Sequence, residues 1–241
     1  LRIDHAMGLL RLFWIPAGRP GSEGTYVSYR QDELLGVLAL ESRRHEALVI
    51  AEDLGTVPAE FPPLLVDWGI LSSSVLYFER EGGVPRPSGS ISARALATIE
   101  THDLVPLAGF AAGRDLHIRR AVGQIADDAA LDAALAERAD EYHAWLARLR
   151  AEGCMAGEGE PDAVALAGAF HCFLSRTPAP LVGVSLDDLA GETEPVNVPG
   201  VPVEQHRSWS RRMRVPLEAI PDTPAAKATT EALANRARSR R

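Results

Sequence analysis

The sequence predicts an α/β fold built on a mostly parallel sheet, and three observations lead there. Short apolar runs alternate with amphipathic helical stretches, the order that a parallel sheet with crossover helices produces. Three of these runs end in acids, at Asp4, Glu52 and Asp103. The chain has 241 residues, enough for one domain with a full core, and its 46% apolar and 24% charged content is that of a globular protein.

The elements follow in order. Leu1-Arg2-Ile3-Asp4-His5 reads as a short strand with charges and an imidazole toward its end. Met7 to Ile15 reads as an apolar helical turn or two, stopped by Pro16, and residues 17–24 are loop chemistry. After the short alternating piece Tyr26-Val27-Ser28-Tyr29, a helix opens at Gln31 and runs to Arg44 or His45. Leu34, Leu35, Leu38 and Leu40 are expected on its inner side. Leu48 to Ile50 is the next strand and leads into Ala51-Glu52-Asp53-Leu54-Gly55. Pro58 to Trp68 reads as a helix in spite of Pro62-Pro63, which a first turn tolerates but a helix interior does not. Ser74 to Phe78 is a third strand, Gly82 to Ser92 a loop, and Ala93 to Ile99 a fourth strand leading into Glu100-Thr101-His102-Asp103.

Ile125 to Arg150 is the clearest helix, because Leu131, Leu135, Tyr142, Leu146 and Leu149 recur at spacings of 4, 7, 4 and 3. Pro161 to Leu174 is another, with Val164, Ala167, Phe170 and Leu174 as its stripe. Leu181 to Val184 is the last strand. Pro195 to Pro202 is extended, and from Asp222 onward the sequence reads as an Ala/Thr/Arg tail, helical but frayed, with a solvated Arg-rich end over residues 236–241.

Composition excludes several classes. The net charge is −8 and basic residues cluster only locally, which argues against nucleic-acid binding. No apolar run approaches a membrane span and the first residues are no signal peptide, so no membrane partner and a cytoplasmic setting are expected. Cys154 and Cys172 have neither metal-ligand spacing nor a disulfide-framework pattern, and read as core or helix-surface thiols in a reducing compartment. The chain starts without Met in what reads as mid-strand, the pattern expected of a fragment.

Parallel α/β folds put chemistry at the exits of strands, and in a parallel sheet those exits share one edge. Asp4, Glu52 and Asp103 are therefore candidates for one site, with His5 and His102 beside two of them. An acidic pair such as Glu52-Asp53 is also how many helices begin. Arg2 and Asp4 are two residues apart and so on one face of their strand, where Arg2 would hold the Asp4 carboxylate ionised and oriented. Retaining glycosyl transfer wants such a set: an ionised nucleophile, a protonated acid that becomes a base, and a third acid to grip sugar hydroxyls. Acids with His also bind Mg²⁺ or Mn²⁺, and spacing alone does not choose between the two readings.

The wording of these stretches goes further than their spacing. Leu1-Arg2-Ile3-Asp4-His5, Ala51-Glu52-Asp53-Leu54-Gly55 and Glu100-Thr101-His102-Asp103 resemble the nucleophile, acid/base and third-acid motifs of the 4-α-glucanotransferases, the amylomaltase or disproportionating-enzyme family related to the α-amylases. The gaps, 48 from Asp4 to Glu52 and 51 from Glu52 to Asp103, are compatible. Residues 10–16, 24–27, 38–42, 75–79, 194–200 and 209–212 resemble the bacterial maltodextrin branch of that family.

The resemblance implies a partial (β/α)8 TIM barrel, roughly strands four to eight with their helices, over residues 1–220, followed by an Arg-rich tail over 221–241. It implies catalytic roles for Asp4 as nucleophile, Glu52 as general acid/base and Asp103 as the acid that holds donor-site hydroxyls. Arg2, His5, Asp53 and His102 would be substrate-binding. No cofactor and no metal are implied. The partners would be a maltodextrin donor and acceptor, with the missing N-terminal half of the barrel as a further one. A non-catalytic glucan-binding piece that needs that half is the alternative. His45, His117, His143, His171 and His206 lie outside these motifs and read as surface or structural residues. Trp14 and Trp209 are candidates for sugar stacking, whereas Trp68 and Trp145 read as packing residues.

Overall fold

The structure, a computed structural model, describes residues 1–239. The chain gathers into two units, one of Leu1–Ser73 with Arg94–Leu96, the other of Ser74–Ala93 with the described residues from Ala97 onward.

In the first unit, β1 (Arg2–Ile3) leads through a 3-10 turn (Ala6–Leu9) into β2 (Arg11–Trp14), which pairs antiparallel with β3 (Thr25–Ser28). The helical turns expected from Met7 to Ile15 thus give way to strand at Arg11. The cause is pairing across the hairpin: Phe13 lies opposite Tyr26 and meets it edge-on at 5.2 Å, and the Arg11 guanidinium sits 4.5 Å over the same ring. A local apolar run does not announce such contacts.

Helix α1 (Gln31–Arg44) carries Asp32 and Glu33 in its first turn and Arg43 and Arg44 in its last, matching the helix dipole. Leu35 is fully buried and Leu38 packs on the core, but Leu34 and Leu40 are exposed, against the expectation that all four face inward. At 3.6 residues per turn Leu40 stands about 200° around the helix from Leu38.

Strand β4 (Ile50–Ala51) runs parallel to β1, with Arg2 opposite Ile50 and Ile3 opposite Ala51. On its other side Leu71 bridges parallel to Ile50, the Ala51 N–H donating to Leu71 at 2.7 Å and the Leu71 N–H to Val49 at 3.0 Å. Helix α2 (Phe61–Asp67) holds Pro62 and Pro63 in its first turn, where a missing N–H leaves no helical bond unmade. Gly69, at φ 70°, lets the chain leave it. Ala6, Leu10, Leu35, Val49, Phe61 and Leu65 form the core beneath.

Strand β5 (Ser72–Val75) follows, and a 3-10 turn over Leu76–Phe78 replaces the second half of the expected 74–78 strand. The stretch read as loop after Gly82 begins in a hairpin of β6 (Arg80–Glu81) and β7 (Val84–Pro85). Gly82 and Gly83 both have positive φ, 57° and 81°, as a two-residue hairpin turn requires. Strand β8 (Ala95–Thr98) lies between β5 and the short β9 (Leu181–Val182) in a three-stranded sheet.

The second unit is mostly helical. Helices α3 (Leu107–Ala111) and α4 (Arg114–Ala121) occupy a stretch to which sequence patterning assigned no element. Helix α5 (Asp128–Ala151) has Asp127 as its N-cap, accepting from the Ala130 N–H at 2.8 Å, and buries Tyr142, Trp145, Leu146 and Leu149. Helix α6 (Ala163–Arg176) is capped likewise by Asp162 and buries Phe170, Phe173 and Leu174. Trp145 packs on Phe170 and Phe173 at ring distances of 5.2 and 5.6 Å, the packing role its sequence setting predicts.

After α7 (Leu186–Ala190), the expected tail forms α8 (Pro224–Ser239), packed on α6. Small residues permit the approach: a Cβ on Gly168 would stand 3.5 Å from that of Ala228, and Ala225, Ala226 and Thr229 are buried. Arg236 donates to the carbonyls of Leu174 and Thr177, each at 3.1 Å, so this member of the Arg-rich end is tied to α6. Arg240 and Arg241 lie outside the described residues. Among the described residues no helix is long and apolar enough to cross a membrane.

Two glycines test this packing. A Cβ on Gly109 of α3 would stand 2.0 Å from the Thr193 carbonyl oxygen, which is backbone and cannot swing aside. Gly109→Ala is expected to destabilise the chain by about 1 to 3 kcal/mol. Gly168→Ala should be neutral or stabilising by up to about 1 kcal/mol, since its contact is ordinary and alanine favours helix. Urea denaturation of both variants checks the contrast.

Candidate active site

The site residues of the first unit meet at the exits of β1 and β4. Glu52 continues β4, its N–H donating to the Ile3 carbonyl at 2.8 Å while its own carbonyl accepts from the Ala6 N–H at 3.0 Å. Its carboxylate is held at both oxygens by backbone donors, His5 at 2.7 Å and Leu54 at 2.9 Å. These bonds fix where the side chain points without using another side chain.

The register of Arg2 with Ile50 and Ile3 with Ala51 makes Asp4 and Glu52 the next facing positions at the sheet end. Arg2 Nη1 meets Asp4 Oδ1 at 2.8 Å, the pair expected from their spacing. The Asp4 side chain is 69% exposed and thus accessible to a ligand.

His5 adopts the left-handed region at φ 45°, uncommon for a residue with a Cβ, and its N–H is the one that reaches Glu52. Asp53 does not share the Glu52 contacts. Its Oδ1 accepts from the Ser73 N–H at 2.9 Å, while the Ser73 hydroxyl donates to the Ala51 carbonyl at 2.9 Å. Asp53 therefore ties the end of β4 to the start of β5.

In the second unit, β8 delivers Glu100 to Asp103. The Asp103 carboxylate receives the Asn197 side-chain amide at 2.6 Å and lies 3.4 Å from His102 Nε2. The His102 ring also lies 5.3 Å from that of Trp209, which is 62% exposed and has φ 61°. Asp103 and Asn197 face a cavity of about 420 Å³ that Arg80, Arg119, Arg138 and Glu141 also line. Asn197 and Trp209 are 94 and 106 residues from Asp103, so no local pattern links them to it, although both lie in stretches whose wording resembles the maltodextrin branch.

A second cavity of about 260 Å³ is lined by Glu100, His102, His171, Ser185 and Asp188. Burial, reinforced by the Asp188 charge, pushes Glu100 up to about 8 in spite of a hydrogen bond from Ser185. Burial likewise raises Asp188 to about 6, opposed by the Leu107 N–H that donates to its Oδ1 at 2.7 Å. His171, fully buried, is lowered by desolvation, with its Nδ1 between the Ala167 carbonyl and the Thr229 hydroxyl. Sequence reading attached no role to Glu100 or Asp188, which are 88 positions apart. Among the described residues no three His, Cys, Asp or Glu side chains gather to hold a metal ion.

A sequence profile of the 4-alpha-glucanotransferases matches residues 1–218. The chain belongs to this family. The 4-alpha-glucanotransferase of Mycobacterium tuberculosis is 39% identical over 224 residues, covering 90% of this chain and 30% of that protein. That of Haemophilus influenzae is 38% identical over 227 residues, covering 91% of this chain and 32% of its own. The crystal structure of an amylomaltase from Corynebacterium glutamicum superposes with a TM-score of 0.90 at 29% identity, covering 96% of this chain and 35% of that one. The chain thus has a mixed α/β fold matching an amylomaltase. It spans about a third of the length of these 4-alpha-glucanotransferases, corresponding to their C-terminal portion.

The buried acids give this portion a pH signature. Both are raised above the ordinary carboxylate range, so the folded chain binds more protons than the unfolded one. Their contribution to stability is complete below about pH 4 and is lost as pH rises through about 6 for Asp188 and about 8 for Glu100. Between pH 6.5 and 9 these two acids should cost the chain roughly 1 to 3 kcal/mol, seen as a pH-dependent narrowing of the stability difference between the unsubstituted chain and Glu100→Gln. Urea midpoints across that range measure both.

Proposed function

We propose that this chain carries the catalytic acids of a 4-α-glucanotransferase that moves α-1,4-glucan segments between maltodextrins by retaining double displacement. The observation that carries the reading is the parallel register of β1 and β4, which sets Asp4 and Glu52 side by side at two strand exits, one paired with Arg2 and the other gripped by backbone donors. In this reading an Asp4 oxygen attacks the anomeric carbon as the glycosidic C–O bond breaks. Glu52 gives its proton to the leaving oxygen. The resulting β-glucosyl ester is then opened by an acceptor sugar hydroxyl, whose proton returns to Glu52, and two inversions restore the α configuration.

Asp103 is the acid that holds donor-sugar hydroxyls, with Asn197 and His102 orienting it and Trp209 presenting an aromatic face. Arg2 keeps Asp4 oriented, and His5 and Asp53 serve the sugar positions beside it. The strands β1, β4, β5, β8 and β9 take the places of strands four to eight in an eight-stranded barrel, and the likeness to the amylomaltase supports that correspondence. The substrates would be a maltodextrin donor and acceptor, in the cytoplasm.

The share of its relatives' length that the chain spans favours a second element of the reading. Transfer would need the N-terminal portion of the family as well, and the 241 residues by themselves would bind glucan weakly or not at all. The test is disproportionation of maltotriose, read as glucose plus longer maltodextrins. A polypeptide of the relatives' length ending in these residues is expected to be active, and Glu52→Gln to lower its rate by about 100-fold or more. The same assay on the 241 residues alone is expected to give no transfer. Unchanged transfer in Glu52→Gln would contradict the acid/base role, and robust transfer by the 241 residues would contradict the need for an N-terminal portion.

A further inference from the structure

The two cysteines, expected as core or helix-surface thiols, face one another. Both are free and half-buried, and their sulfurs lie 2.8 Å apart in a shared hydrogen bond. Cys154 follows Gly153, whose φ of 63° turns the chain off the end of α5, and its N–H donates to the Leu149 carbonyl at 2.8 Å. Cys172 sits inside α6, one turn before Arg176. The Arg176 guanidinium donates to the Glu152 carbonyl and, at 3.3 Å, to that of Gly153. The side chain one turn along from Cys172 thus pins the segment that carries Cys154.

The pair does not titrate evenly. Hydrogen bonding with Cys154 draws Cys172 down to about 6 against the effect of burial, Arg176 adds to the pull, and Glu152 opposes it. The same bond, and then burial, push Cys154 upward. Two sulfurs this close, with the Arg176 guanidinium one turn along from Cys172, favour a thiolate on Cys172 while Cys154 keeps its proton, the arrangement of an attacking and a resolving thiol.

We propose that Cys172 and Cys154 form a peroxide-responsive dithiol, with Cys172 as the nucleophile and Cys154 as the resolving thiol. The Cys172 thiolate attacks one oxygen of hydrogen peroxide and the O–O bond breaks. Hydroxide leaves and becomes water with the proton that Cys172 had released, and Cys172 is left as the sulfenic acid. The Cys154 sulfur then attacks the Cys172 sulfur, and its proton departs with the sulfenic hydroxyl as a second water. Peroxide gains two electrons and the two thiols lose two as the disulfide forms. The bond closes residues 155–171 into a loop and fastens the end of α5 to the middle of α6. Neither cysteine belongs to the motifs proposed for glucan transfer, so this device stands or falls independently of that reading.

The experiment treats the fully reduced 241-residue chain with equimolar hydrogen peroxide and reads intact mass and maleimide-reactive thiols under denaturing, non-reducing conditions. A mass loss of about 2 Da in the monomer, disappearance of both thiols and full reversal by dithiothreitol are expected. With dimedone present, Cys154→Ser should accumulate a single adduct on Cys172, the sulfenic acid having lost its resolving partner. In the unsubstituted chain any adduct trapped early should also map to Cys172. Retention of both thiols, a disulfide-linked dimer, or an early adduct on Cys154 would overturn the proposal. The readings on the unsubstituted chain do not depend on how the variant folds.

Discussion

The hydrogen bonds that hold the Glu52 carboxylate are the constraint on which the proposed chemistry of the first unit depends. The peptide of Glu52 completes the pairing of β1 with β4, and its side chain accepts the N–H of His5 immediately after Asp4. A residue placed in this way cannot move without disturbing the strand exit that carries the neighbouring acid. Positioning by backbone donors fixes the direction of that carboxylate without a second side chain. It also accounts for the left-handed backbone of His5, a conformation disfavoured for residues with a Cβ and here tied to a charge-assisted hydrogen bond.

Much of this was legible in the sequence because it is local. Arg2 and Asp4 share a strand face by the period of two, and the structure pairs them. The stripe on α5 obeys helical periodicity, whereas α2 begins at Phe61 rather than at Pro58, because Pro62 and Pro63 are tolerated only in a first turn. Family wording carried the reading where spacing could not choose between glycosyl transfer and a metal site, and the profile match over residues 1–218 shows the family.

What escaped depends on pairs distant in sequence. Arg11 to Trp14 is strand because Thr25 to Ser28 lies across from it, and no helical or strand period is needed for that. Helix α4, with the sequence RDLHIRRA, has too few apolar residues for a stripe and is anchored from outside, the Asp115 carboxylate accepting from the two terminal guanidinium nitrogens of Arg138 at 2.8 and 3.0 Å. The contacts of Asn197 with Asp103 and of Cys154 with Cys172 are likewise tertiary. Helix α8 shows the same effect: its Ala- and Thr-rich sequence allows a helix but reads as frayed, and it is α6, with a glycine at the crossing, that gives it a face to pack on.

The central claim is a division of labour in which Asp4 bonds to sugar and Glu52 handles the proton. The most direct measurement supplies a maltosyl fluoride, which needs little acid assistance to leave, to a relatives'-length polypeptide ending in these residues and carrying Glu52→Gln. Rapid quenching, digestion and mass spectrometry then locate the trapped sugar. The account predicts a maltosyl ester on the peptide that contains Asp4, removed by base. Sugar attached to the Glu52 or Asp103 peptide, or no covalent species while fluoride is released with retention, would contradict it.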